Sequence, residues 1–344
     1  MIMDDTLREG MQAPGLAFSL NEREKLAELL HNSGIKKAMV SYPAAHKSEI
    51  ESTELIIKKH YFDEVYALGR TLKSDIDLID STGANISLHL PFHIDNMKNI
   101  GDNIKYASEK NKKLEVALVD IDQYSIDELI KIAGIIDSSG ADVIQIPDTK
   151  GITNPENYGK IISDIKNSVK AEIEIHCHND YGYSIANAIE GIKSGADYVD
   201  TTIFGIGERN GISDSMVISN FLNMHNIEKI DVHNLMKAYN YLFELIISKA
   251  GINFFVNNYP FYGKNSAVHT AGTHVSFNEI FKGNDYSVNV YTGKSMVRKI
   301  LENNGIKVDE DKLINIVNKI KDISADTGLT VKVDEIIKIA GEYQ

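Results

Sequence analysis

The sequence predicts an α/β fold, a closed (β/α)₈ barrel with a small α-rich C-terminal appendage. Two observations carry that expectation. Over roughly the first 225 residues, short apolar segments alternate eight times with amphipathic helical ones. Regular alternation implies a parallel sheet, and eight units suit a closed barrel. Ser-Gly-Ala-Asp recurs at Ser139 to Asp142 and at Ser194 to Asp197, each time as a helix-to-strand turn with glycine as the helix stop. A doubly wound open sheet is the alternative that shares this alternation.

The elements follow in order. Met1 to Met3 is a brief strand, and Asn21 to Ser33 is a helix with Leu26, Leu29 and Leu30 on one face. Strands are expected at 37–41, 64–68, 86–90, 114–119, 142–146, 172–176 and 197–203. Helices are expected at 46–60, 73–81, 95–110, 125–138, 155–168, 183–194 and 213–225. Pro155 sits at a helix start, where its missing N–H costs nothing. After about residue 228 the rhythm changes. Val232 to Ala250, Lys294 to Asn303, Asp309 to Ile323 and Val333 to Gly341 read as helices. Between them, Pro260 to Thr273 is irregular and rich in Gly, Tyr, Asn and His. The expected division is a catalytic barrel over 1–228 and a helical subdomain over 229–344.

Composition narrows the function classes. A net charge of -13 argues against a general nucleic-acid-binding role. One cysteine excludes an internal disulfide and a Cys-rich zinc module. There is no signal-like N-terminal pattern and no apolar run of membrane-spanning length. A cytoplasmic protein is expected, with small molecules as partners and no membrane.

The chemistry centres on His176-Cys177-His178. Side chains alternate along a strand, so both imidazoles share one face and Cys177 takes the other. Two neutral imidazoles on one edge make half of a divalent-metal site. In a barrel the strand ends face one mouth, so Glu9, after the first strand, can complete a Glu9-His176-His178 set. Arg8 is then a fixed cation beside the metal, suited to developing enolate or alkoxide charge. Gly205-Ile206-Gly207-Glu208-Arg209-Asn210-Gly211 follows the eighth strand. Its glycines allow close approach of a ligand, and the next helix offers amides to anions; a tight turn explains the glycines equally well.

These segments resemble a known family. Asp4 to Gly15, reading DDTLREGMQAPG, is similar to the D-x-T-L-R-[DE]-G-x-Q-x-P-G signature of the DRE-TIM metallolyases. His176 to Gly182 is similar to its H-x-H-N-D-x-G, Gly205 to Gly211 to its G-x-G-E-R-x-G, and Asp148-Thr149-Lys150-Gly151 to its D-T-x-G. Ala67-Leu68-Gly69-Arg70 with Asp75-Ile76-Asp77 resembles its third-strand pattern. His269 to His274, reading HTAGTH, resembles the Claisen-condensing branch of homocitrate, isopropylmalate and citramalate synthases, and Tyr291-Thr292-Gly293-Lys294 resembles its subdomain. The resemblance implies a homodimer whose C-terminal segment reaches a neighbouring active site. It implies condensation of acetyl-CoA, or a related acyl-CoA, with a 2-oxo acid on Mg²⁺, Mn²⁺ or Zn²⁺. Arg8, His274 and Tyr286 are the implied catalytic residues, and residues 205, 207, 208, 209 and 210 (Gly205, Gly207, Glu208, Arg209 and Asn210) the acyl-CoA loop. Substrate contacts are expected from Arg70, Thr149, Glu115 and His93. The chain leaves no room for the regulatory domain of isopropylmalate synthases, so feedback through one is not expected.

The fifth strand departs from that pattern. Val119 stands where the synthases have a catalytic Glu, and Gln123 where they have Arg. Glu115 replaces an Arg that grips the far carboxylate of 2-oxoglutarate in homocitrate synthases, so that substrate is disfavoured. Glu115 pairs either with a cationic substrate group or with a basic residue of the protein. Met39, Ser41 and Leu90-Pro91-Phe92-His93 depart as well. The machinery is kept and the oxo-acid pocket rewritten. A lyase or aldolase on the same metal, and a non-catalytic relative, are the competing readings.

Overall fold

Eight short strands pair in parallel and close on themselves: β1 (Ile2–Asp4), β2 (Lys37–Ser41), β3 (Glu64–Arg70), β4 (Asn85–His89), β5 (Leu114–Ala117), β6 (Val143–Asp148), β7 (Glu172–Cys177) and β8 (Tyr198–Thr201). β8 returns to β1 with Met3 beside Asp200 and Asp4 beside Thr201. These are features of a computed structural model, which describes residues 1–92, 97–110, 112–260, 263–270 and 285–343. Helices α1 (Leu20–Asn32), α2 (Lys47–Lys59), α3 (Lys73–Thr82), α4 (Met97–Ser108), α5 (Ile126–Ser138), α6 (Pro155–Lys166), α7 (Ser184–Lys193) and α8 (Ser215–Met224) follow the strands in turn. The architecture is the predicted TIM barrel.

Local chemistry sets the helix ends. Ser19 and Glu22 form a capping box on α1, and Ser125 and Glu128 another on α5; each is worth about 1 kcal/mol. α1 buries Leu26, Ala27 and Leu30, and burial of each leucine stabilises by roughly 2 kcal/mol. Gly140 and Gly195 both take positive φ, so the two Ser-Gly-Ala-Asp turns use glycine for its left-handed backbone.

The C-terminal part continues with α9 (Val232–Lys249), which packs on α1 and α8. Its Leu235, Ala238, Leu242 and Ile246 join the core of the barrel. Beyond it lie α10 (Phe254–Asn257), β9 (Val268–His269) paired with β10 (Asp285–Tyr286), and α11 (Lys294–Asn303), α12 (Glu310–Thr327) and α13 (Val333–Gly341). The last three helices build a second core around Val297, Leu301, Leu313 and Ile336. Phe254, Val290 and Tyr291, beyond α9, join the barrel core as well. Among the described residues no helix is long and apolar enough to cross a membrane.

Inside the barrel the layers are not uniform. Met3, Met39, Tyr66 and Leu68, from β1 to β3, make an apolar cluster. Glu115, Gln145, Glu174 and Asp200, from β5 to β8, are polar and buried. Gln145 Nε2 donates to Glu174 and Asp200 at 2.9 Å and to Glu115 at 3.4 Å. Burial raises the carboxyls of Glu115, Glu174 and Asp200 well above their ordinary range, and each acid's charge pushes a neighbour up further.

Candidate active site at the barrel mouth

A cavity of about 470 Å³ opens at the C-terminal ends of the strands, where this fold places its chemistry. Arg8, Glu9, His176 and His178 all line it. The loop after β1 is built by its own first residue: Asp4 accepts from the Thr6 amide at 3.0 Å and from the Thr6 hydroxyl at 3.1 Å. That turn swings Asp5 and Arg8 together, with Arg8 Nη2 donating to Asp5 at 2.5 Å and Nη1 to Glu9 at 2.6 Å. Burial alone would lower the Arg8 guanidinium, but the charges of Asp5, Glu9 and Asp200 raise it above its ordinary value. Arg8 is thus a permanent, oriented cation.

His176 ends β7, and its Nδ1 hydrogen-bonds Asp200 at 2.7 Å. A carboxylate on Nδ1 fixes the tautomer and makes Nε2 the atom a metal takes. Cys177 is wholly buried on the opposite face. Two donor sets share His176. Among the described residues, Asp5, His176 and Asp200 form a set of candidate ligand atoms within 4.8 Å of one another. Asp5 and Glu9 both pair with Arg8, and the Asp200 contact is the His176 Nδ1 bond, so position relative to the cavity separates the two sets. Neither Asp5 nor Asp200 lines the cavity. Glu9, His176 and His178 do, with the one-carboxylate, two-imidazole chemistry of a divalent site that leaves positions for substrate oxygens. The residues present fit a metal there, with Asp200 and Asp5 behind it.

The Gly205 loop has a different place from the one expected. Gly205, Gly207, Glu208, Arg209 and Asn210 are buried and none lines the cavity. The Glu208 amide donates to Glu9 at 2.9 Å, and a Cβ on Gly207 would stand 2.7 Å from the same carboxylate oxygen. Arg209, in left-handed backbone at φ 55, pairs with Asp180 and donates to the Thr149 carbonyl at 2.7 Å. The following helix takes its cap from Asp214, which accepts from Val217 N, so that amide already holds a carboxylate of the chain. The loop braces Glu9 and Thr149 from behind instead of forming an acyl-CoA wall.

The expected substrate residues divide. Arg70 and Thr149 line the cavity. Arg70 is held by two side-chain bonds to Asp75, at 2.8 and 2.9 Å, and the Thr149 hydroxyl accepts from the Asp120 amide at 2.8 Å. Glu115 is absent from the wall. It stands beside Ser87 in the β4–β5 pairing and takes a 2.6 Å bond from its hydroxyl. Gln145 separates it from the cavity, so neither a substrate cation nor a basic residue is its partner. Tyr286 packs on the second core, with Lys299 Nζ 5.9 Å from its ring, and does not line this chain's cavity. His93 and His274 lie outside the described residues.

Four residues of the site, Asp200, Tyr42, Tyr291 and Glu49, were given no role in it from the sequence. Asp200 is signalled only by an acid in an otherwise buried strand at the level of His176. Tyr42 and Tyr291 line the cavity with rings stacked at 6.5 Å. Glu49 accepts from the Tyr291 hydroxyl at 2.7 Å and from the Tyr42 amide at 3.2 Å, and pairs with Arg23. No local pattern announces a contact spanning 242 residues.

Comparison with known proteins gives the family of the chain. The chain is 30% identical over 352 residues to the homocitrate synthase of Sulfurisphaera tokodaii, covering 93% of this chain and 75% of that one. It is 30% identical over 369 residues to the 2-isopropylmalate synthase of the same organism, covering 98% and 94%. A probable 2-isopropylmalate synthase of Methanopyrus kandleri is 28% identical over 350 residues, covering 94% and 69%. Among solved structures, the HMG-CoA lyase of Bacillus subtilis superposes with a TM-score of 0.63 at 15% identity, over 71% of this chain and 92% of that one. The carboxyl transferase domain of Rhizobium etli pyruvate carboxylase gives 0.65 at 14%, over 99% and 59%. Both share the fold. Residues 1–242 match the HMGL-like family, and the chain belongs to that family, the DRE-TIM metallolyases, with synthases among its relatives.

Proposed function

We propose that the protein condenses an acyl-CoA, acetyl-CoA first among them, with a 2-oxo acid, and that water then cleaves the thioester to release free CoA and a 2-hydroxy acid with one more carboxylate. The observation that carries this reading is the meeting of Arg8, Glu9, His176 and His178 on one cavity wall. Glu9, His176 Nε2 and His178 would hold the divalent metal. When bound, it supplies Lewis-acid polarisation of the keto group and a chelation point for the adjacent carboxylate. Arg8, fixed by Asp5 and Glu9, offers N–H groups to the carbonyl oxygen as it gains alkoxide charge, and its orientation costs no reorganisation during the reaction. Asp200 keeps the His176 proton on Nδ1. The stacked tyrosines and the apolar wall exclude water from an enolate.

The family Glu is replaced by Val119 on this wall, so proton transfer falls to other groups. His274 and Tyr286 suit that role. Tyr286 stands away from its own chain's cavity, which suits a homodimer in which each chain serves its neighbour. Exposed Val217 and Met224 on α8, and Met236 and Phe243 on α9, support such a pairing. Each pair is seven residues apart and so shares one helix face.

A C–C lyase on the same metal is the second reading. The synthases align over 93–98% of this chain, its C-terminal part included. The C-terminal part therefore favours synthesis. The test is thiol release from acetyl-CoA across a panel of 2-oxo acids, with and without chelator. Metal-dependent release is expected; its absence with every oxo acid would remove the condensation.

A further inference from the structure

We propose that the oxo acid selected here carries a large apolar side chain, isobutyl or benzyl in size, and no second carboxylate; this rests on the condensation reading above. The barrel order puts the residues that hold the reacting head on β1 and β7, and the opposite wall on β3 to β5. The apolar part of that opposite wall is Leu68, Leu90, Phe92 and Val119, with the Tyr42–Tyr291 stack beside it; Arg70, Thr71 and His89 line the same side. Leu68, Leu90 and Val119 are each at most 8% exposed. An oxo acid anchored at the metal side has to project its side chain across the barrel onto this wall. Burial of an isobutyl or benzyl group there is favourable, because it removes apolar area from water.

Among the described residues, the one guanidinium that wall offers a second carboxylate is that of Arg70, and Asp75 already holds it. Among the described residues, the Arg and Lys side chains lining the cavity are Arg8 and Arg70. Arg8 stands beside the metal-side residues and serves the reacting carbonyl in the condensation proposed above, and Arg70 is bidentate to Asp75. Beneath the floor, Gln145 connects Glu115, Glu174 and Asp200, so an anion reaching downward meets acids. Desolvating an unpaired carboxylate is costly, and rejection by such a surface is as much a part of specificity as attraction.

The cavity, about 470 Å³, leaves room for a side chain larger than a methyl beside the reacting groups.

The test uses the full chain with Mn²⁺ and acetyl-CoA. Thiol release is followed with pyruvate, 3-methyl-2-oxobutanoate, 4-methyl-2-oxopentanoate, phenylpyruvate, oxaloacetate and 2-oxoglutarate. The expected kcat/KM for 4-methyl-2-oxopentanoate or phenylpyruvate exceeds that for 2-oxoglutarate and oxaloacetate at least a hundredfold, and that for pyruvate at least tenfold. Val119→Phe, which fills the wall, is expected to reverse the order of pyruvate and the larger acids. A diacid turned over as well as the apolar acids, or pyruvate preferred to them, overturns the proposal. Should no oxo acid release thiol, the condensation reading fails by itself. Calorimetric titration of the same acids into Mn²⁺-loaded protein then decides: tighter binding of the large apolar acids supports the selection, and equal, diacid-favouring or no binding overturns it.

Discussion

Asp200 illustrates how one buried carboxylate sets the state of a neighbour. Its Oδ2 takes the His176 Nδ1 bond and a second from Gln145. Replacing it by Asn presents an amide where the imidazole needs an acceptor. Loss of such a partner behind a metal-binding histidine costs about 10–100-fold in metal affinity. Asp200→Asn is therefore expected to weaken Mn²⁺ binding by that factor, with an unchanged far-UV circular dichroism spectrum; competition with a chelating dye measures it. Unaltered affinity would leave Asp200 a packing residue. The two histidines were readable in the sequence because strand alternation alone puts positions 176 and 178 on one face. Asp200 was not, since its relation to His176 exists only once β7 and β8 lie side by side. Glu115 was misplaced for a related reason. Its position along the strand could be counted, but its depth below the cavity depends on where β4 to β6 pack.

The strap from Asp285 to Thr292 works as an element. Asn289 Nδ2 donates to the Met11 carbonyl at 2.5 Å, Ser287 Oγ accepts from Gly15 N at 3.2 Å, and Tyr291 reaches Glu49. Upstream, the Thr270 hydroxyl donates to the Gln12 carbonyl at 2.9 Å. The strap thereby holds the far end of the loop whose near end presents Arg8 and Glu9. Asn289→Ala leaves the Met11 carbonyl without that donor in a buried setting, a loss of about 1–3 kcal/mol. Urea denaturation should report it, together with reduced thiol release at temperatures where the variant remains folded. Stability equal to that of wild type would mean that the loop stands without the strap. The strand-helix rhythm of the barrel was legible because each unit repeats one short pattern. The strap was not, because its contacts with residues 11–15 join positions more than 270 apart.

At the scale of the whole molecule, the buried acids set a pH dependence. Burial raises the Glu115 carboxyl well above its ordinary value and the Asp4 carboxyl to about 7. Between the ordinary and the raised values, the folded chain keeps protons that the unfolded chain has released. The folded state then binds more protons, so stability falls as pH rises through that window. Glu115→Gln keeps the shape and removes one titration. The variant is expected to exceed wild type in stability at pH 8 and to lose that advantage near pH 4, measured by urea denaturation at both. Parallel curves would show that Glu115 ionises as freely in the fold as in water. The placing of the proposed roles on different strands also bears on descent. In the proposed condensation the reacting head is held from β1 and β7, and the side chain is met by the wall at the ends of β3 to β5. A lineage can therefore exchange one substrate for another through substitutions at Leu68, Leu90 and Val119 while its reaction passes unaltered from ancestor to descendant, and a combinatorial library confined to those three positions would retrace that history.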